Sequence, residues 1–270
     1  MLRINRGIVL LPALALAFAM AACGDDDVPT GPGPGDNDFE WTGDVAQGLA
    51  IEIKGISGGI AASLASGTEV EVYADLAGRQ DDPSTVSIEV VQHEGGVTIC
   101  SMYPDAAGQP PNVCAPGTDG HLGNNENDVV VTYSVRVPVG VHFVGRTVAG
   151  NVAGQSLDGD AFAYIVSGNV EIDATGIVEA STVSGLIDVE FGESDPDQDL
   201  IFSAVSGSVT VRVPADTNAD ARLSTVTGSV TSDFPIVETS PGIWEATLGA
   251  GGNLVSLSAV SGNVTLRSGG

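Results

Sequence analysis

The sequence is poor in positive charge, poor in aromatic rings and nearly without cysteine. Nine Lys and Arg residues stand against 35 Asp and Glu in 270 residues, a net charge of −26. A chain of that sign repels a phosphate backbone, which excludes a nucleic-acid partner. Aromatics make up 5% of the residues although 43% are apolar, so a core here is made of Val, Ile, Leu and Ala. The 36 glycines follow no three-residue period and are interleaved with those apolar residues, which excludes collagen and simple disorder. The apolar run at 7–22 is too short and wrongly flanked for a membrane-spanning helix.

That run has another use. Arg3 and Arg6 precede it, and it ends Met20-Ala21-Ala22-Cys23 before an acidic stretch at 25–27, the order of a secretory signal. The small residues abutting Cys23 resemble the lipobox of bacterial lipoproteins, with Met20 in place of the usual Leu. The resemblance implies that residues 1–22 are a signal peptide and that Cys23 is acylated and becomes the first residue of the mature chain. Removal of 1–22 leaves seven basic against 35 acidic side chains, a net −28, so the membrane partner is reached through acyl chains on Cys23 and not through headgroup charge. Residues 23–38, acidic and then rich in Pro and Gly, read as a solvated tether. The expected address is exported and membrane-anchored, on the periplasmic face or the cell surface.

In an exported chain Cys100 and Cys114 can form a disulfide, closing a separation of 14 residues for about 3 kcal/mol. Two such cysteines lack the spacing of a four-ligand metal site.

From residue 147 one phrase recurs. It reads Thr147-Val148-Ala149-Gly150-Asn151-Val152, then Ile165-Val166-Ser167-Gly168-Asn169-Val170 and Thr182-Val183-Ser184-Gly185-Leu186-Ile187. It returns around Gly207, Gly228 and Gly262, and a weaker copy surrounds Gly58. Period-2 alternation places Val205, Gly207, Val209, Val211 and Val213 on one face and Ser206, Ser208, Thr210 and Arg212 on the other. By the same count Tyr164, Val166, Gly168, Val170 and Ile172 face inward. The glycine either permits a bend or bulge or leaves room for a neighbour.

A repeat of 17 to 22 residues carrying one strand cannot bury its own inner face, whereas stacked copies share a core. The expected fold is all-β, a parallel β-solenoid over 141–270, with an irregular N-terminal β region and cap over 39–140. A β-sandwich is the alternative, but its hairpins require no recurring phrase.

At these residues the chain resembles the bacterial putative-adhesin domains of repeated β-strands, a family of undefined function. The resemblance rests on the Val-Ser/Thr-Gly-x-Val phrases, on Val211-Arg212-Val213-Pro214-Ala215-Asp216 and on the final Leu257-Ser258-Ala259-Val260-Ser261-Gly262-Asn263-Val264. It covers about residues 50–267 and implies a solenoid-like fold in the cell envelope, with no catalytic residues to carry over.

Several patterns hint at chemistry and fall short. Gly55-Ile56-Ser57-Gly58-Gly59 matches the G-x-S-x-G nucleophile elbow, but no strand-helix alternation follows it, and His93, His121 and His142 lie in unrelated settings. Acidic clusters at 81–82, 124–128, 158–160 and 195–199 suggest calcium. The last of them has Leu200 where an EF-hand loop needs Gly and Ser206 where it needs Glu. The seven basic residues of the mature chain are scattered, unlike the cluster a lyase of acidic sugars needs. Trp244 is expected to pack or cap rather than to stack on a sugar.

The sequence therefore points to a non-catalytic, lipid-anchored envelope protein without cofactor or metal. It would act as an adhesin or surface-contact scaffold toward envelope or host-surface polysaccharide or protein. The alternatives are a self-assembling structural module and a polysaccharide-cleaving β-solenoid enzyme.

Overall fold

The computed structural model describes residues 38–269. They form a ten-stranded sheet A and an eleven-stranded sheet B closed around one apolar core. Each repeat supplies two strands, where the sequence suggested one. Ala161–Ser167 in sheet B leads through a glycine corner to Val170–Ala174 in sheet A. Val178–Ser184 leads likewise to Ile187–Phe191, and Leu200–Ser206 to Val209–Val213. Equivalent strands pair in parallel and in register, Ala163 opposite Ala180 and Ile172 opposite Val189. The fold is a β-solenoid of two-stranded coils.

The corner changes the phase of the side chains. Val209, Val211 and Val213 are fully buried, as are Val170 and Ile172. Val205 and Val166, placed inside by unbroken alternation, are instead about half exposed, and Ala204 and Ile165 take the inner positions. Tyr164 lies on the outer face too. Two successive exposed residues precede each corner glycine from Gly150 onward, so the alternation is interrupted there and restarts in the other sheet; a period of two holds within a strand and not across a bend.

The repeat glycines form one column. Gly150, Gly168, Gly185, Gly207, Gly228 and Gly262 all have positive φ, between 144° and 158°, and Gly58 has φ 117°. A Cβ on Gly168 would collide with the carbonyl oxygen of Gly150, one on Gly185 with that of Gly168, and one on Gly207 with that of Gly185. The residue therefore serves both the bend and the close approach of the next coil's backbone. The following residue often ties the rungs: Asn151 Oδ1 accepts from the Asn169 N–H at 2.9 Å, and Asn169 Oδ1 from the Leu186 N–H at 2.9 Å.

The spatial order of coils departs from chain order at both ends. Leu254–Ser261 and Val264–Ser268, the last coil in sequence, lie between the coil of Leu200–Ser206 and Val209–Val213 and that of Ala219–Thr227 and Val230–Ser232. At the other end Ala50–Lys54 and Ile60–Leu64, early in sequence, lie between His142–Ala149 with Val152–Leu157 on one side and Gly96–Met102 with Val130–Val137 on the other. Antiparallel strands extend both sheets at the N-terminal end and sheet B alone at the far end, where sheet A stops at Val230–Ser232. Val70–Ala77 and Asp38–Gly43 continue sheet A, and Ser87–His93 continues sheet B. At the far end Ile243–Leu248 and Val237–Ser240 extend sheet B, while Phe234, Ile236 and a partly buried Trp244 pack on the core. Trp244 is thus a packing residue.

Candidate functional site

Strands Gly96–Met102 and Val130–Val137 complete an outer coil, but residues 103–129 stand where other coils have a glycine corner. This insertion folds back onto the outer face of sheet B. Ile51 and Ile53 point into the core, so the alternating Glu52 and Lys54 point outward, and Cys100 lies opposite Lys54 on the neighbouring strand. Cys100 is joined there to Cys114 of the insertion, with the α-carbons 5.8 Å apart.

Lys54 is the one lysine of the chain and is 8% exposed. Its ammonium donates to three carbonyls of the insertion, those of Ala115 at 2.7 Å, Asp119 at 2.8 Å and Gly117 at 3.1 Å. Burial lowers its pKa from the ordinary lysine value, with the Glu52 carboxylate opposing that shift. Glu52 accepts from Arg146 Nε at 2.7 Å, the Gly117 N–H at 2.8 Å and Thr98 Oγ1 at 2.9 Å. Since Thr98 donates to Glu52, its oxygen accepts from His93 Nε2 at 3.0 Å, and His93 Nδ1 accepts from the Gly95 N–H. That sets His93 as the Nε2–H tautomer. These charges are saturated by the insertion and by one another, so the cluster fastens the loop.

Beyond the clamp the outer face of sheet B changes character. The Arg146 guanidinium lies 4.2 Å from the centroid of the Tyr164 ring, whose hydroxyl donates to Glu179 Oε1 at 3.1 Å. Burial, then the Glu179 charge, pushes the Tyr164 phenol up to about 12. Phe162, on the outer face of the same strand, is partly buried. From Tyr164 one row runs through Ser181, Ser203, Ser258 and Ser224, matched by register. A parallel row consists of Val148, Val166, Val183, Val205, Val260 and Val226. The first five, each with a coil on either side, are 45 to 50% exposed; Val226, on the outermost coil, is 80% exposed.

Sheet A is different outside. Glu171 faces Asp188, Asp173 faces Glu190, and Arg212 bonds to Asp188.

The other sequence candidates disperse. Cys23, the signal and the tether lie outside the described residues. Ser57 sits at a coil corner, where its carbonyl accepts from the Val131 N–H and its neighbour is Tyr103. The acidic clusters cap backbone amides. Asp128 takes those of residues 79–81, Asp160 that of Ile177, and Asp199 that of Leu254. Among the described residues no group of three or more His, Cys, Asp and Glu side chains is placed to hold a metal ion. Sequence reasoning missed the Glu52–Lys54–Arg146 cluster; its one local sign is the alternation Ile51-Glu52-Ile53-Lys54, which puts two opposite charges on one face of a strand.

Residues 149–267 match the model of the family described as Toastrack DUF4097. Among solved structures the chain is similar to a "putative cell adhesion protein" from Clostridium sporogenes, at 10% identity, TM-score 0.43, over 86% of this chain and 100% of that one. It is also similar to a "putative adhesin" from Bacteroides fragilis, at 16% identity, TM-score 0.24, over 87% of this chain and 98% of that one. No curated protein matches.

Proposed function

We propose that this Toastrack-type solenoid is a non-catalytic, lipid-anchored protein of the cell envelope that works as a surface-contact scaffold. The supporting observation is the column of corner glycines, which holds successive coils in register and so aligns outward Ser and Val side chains in straight rows. Such rows offer one chemical surface repeatedly, which suits weak contacts multiplied along a partner. Acyl chains on Cys23 would retain the protein at the membrane, each buried methylene contributing about 0.8 kcal/mol. Residues 23–38 would hold the solenoid away from the headgroups.

Two measurements test this. Cys23→Ala is expected to move the protein from the membrane fraction to the soluble one, and protease added to intact cells is expected to degrade the solenoid. Retention of the variant in the membrane would remove the lipid anchor from the proposal. Full protection from external protease would remove the surface role and leave a periplasmic one.

End-to-end assembly in parallel register is disfavoured because antiparallel strands end sheet B at both ends and sheet A at one, while sheet A stops at the other in the three-residue strand Val230–Ser232, too short an edge to template a further coil. Light scattering is expected to give a monomer mass that does not change with concentration.

A further inference from the structure

The two outer faces of the solenoid differ in charge. On sheet A the strands Val170–Ala174, Ile187–Phe191, Val209–Val213 and Val264–Ser268 each carry charged side chains outside, Glu171 and Asp173, Asp188 and Glu190, Arg212, and Arg267. In sheet B the strands Leu200–Ser206 and Leu254–Ser261 have no ionisable residue, and Ala161–Ser167 has none but Tyr164. Between them Val178–Ser184 adds one charge, Glu179, which is engaged by the Tyr164 hydroxyl. In a chain of net charge −26, a face four strands wide with a single carboxylate, hydrogen-bonded by Tyr164, and rows of Ser and Val is a specific feature of the surface.

We propose that the outer face of sheet B is a docking surface for an extended, uncharged polysaccharide; this rests on the surface-contact reading above and deepens it. Three observations favour that occupant. Serine hydroxyls both donate and accept, which fits a ligand whose own groups are hydroxyls. The valine row and the Phe162 and Tyr164 rings offer apolar contact for the C–H faces of sugar rings. The rungs recur about every 4.8 Å along the sheet, so a polymer of repeating neutral units meets the same row at each coil. Charge selects the class: the acidic body repels anionic polymers over the range of about 8–10 Å that salt allows, whereas a neutral chain meets no barrier. A second copy of this protein, equally acidic, is repelled as a whole and is the less favoured occupant.

Affinity electrophoresis of the full-length protein in mild detergent tests the proposal, with gels containing dextran, a soluble β-glucan or neutral xylan, and alginate as the anionic control. At least one neutral polymer is expected to retard the protein, and alginate is not. Ser203→Glu combined with Val205→Glu is expected to weaken retardation at least tenfold, with Phe162→Ala as an independent second variant. Thr265→Glu, on the outer face of sheet A, is expected to leave it within twofold. Thermal melts establish that each variant folds. No retardation by any neutral polymer overturns the proposal, as does equal loss from Thr265→Glu. So does a dimer in light scattering that the Ser203 and Val205 changes dissociate, which would assign the face to a second copy. Binding by purified protein is independent of where the protein resides, so these outcomes are separate from those of the protease experiment.

Discussion

Gly262 rests on Gly207, although 55 residues separate them in the chain, and a Cβ on Gly262 would strike the Gly207 carbonyl oxygen. Gly228, earlier in sequence than Gly262, rests on it in turn. The column therefore records the order of the coils in space, and the final coil has entered between two that precede it.

Because both the positive φ and the stacking exclude a side chain, replacement within the column is costly. Gly185→Ala is expected to destabilise by about 3 kcal/mol or more, from backbone strain together with displacement of the adjacent coil. Gly67, with nothing near its absent Cβ, is the control, and Gly67→Ala is expected to stay within about 0.5 kcal/mol. Urea titration followed by far-UV circular dichroism measures both.

The phase change at the corner separates two valines four residues apart. Val209 is fully buried, and Val209→Asp is expected to cost several kcal/mol, enough to threaten folding. Val205 is half exposed, and Val205→Asp is expected to cost less than about 1 kcal/mol. Similar melting temperatures for the two variants would contradict the corner geometry.

Two independent fastenings hold the insertion at 103–129. Loss of the disulfide through Cys100→Ser with Cys114→Ser is expected to cost about 3 kcal/mol by the loop-entropy estimate. Lys54→Met deprives three loop carbonyls of their donor and leaves Glu52 to Arg146, Thr98 and Gly117, at a cost of about 3 kcal/mol or more. Limited proteolysis with mass spectrometry should place the first cuts of either variant within 103–129. Cuts elsewhere would show that the loop does not depend on the clamp.

Acid is expected to loosen the junction between residues 79–81 and 126–128. The Asp128 carboxylate accepts the amide of Asp81 and those of Arg79 and Gln80, which hold its pKa below the usual 3.8. A depressed folded-state pKa gives stability that is complete above 3.8 and is lost as pH falls through the lower folded-state value. Asp128→Asn should therefore show a weaker fall in melting temperature than the parent between about pH 4 and pH 2. Identical acid limbs would show that this carboxylate does not contribute.

Much of the repeat was legible in the chain because it is local. The phrase around each glycine, the alternation in Val209, Val211 and Val213, and the wet Ser and Thr between them follow from strand geometry within a few residues. The inward assignment of Val166 and Val205 failed where that local rule meets a bend. The clamp was not legible, since Glu52 and Arg146 are brought together by the parallel pairing of Ala50–Lys54 with His142–Ala149. Nor was the sparsely charged face of sheet B, which exists because strands far apart in sequence stand side by side.

By itself the sequence determined that this protein is a stack of glycine-cornered β coils with a branched aliphatic core, because a short repeat can bury its apolar side only against copies of itself. Tertiary structure decided the order of those copies. Coils with nearly the same phrase are nearly interchangeable as neighbours, so pairing energy within one repeat cannot say that the last should lie inside the one before it. That choice depends on contacts made together by the whole chain: the hairpin Val237–Ser240 with Ile243–Leu248 on Ala219–Thr227, and Phe234 and Ile236 over the end of the core.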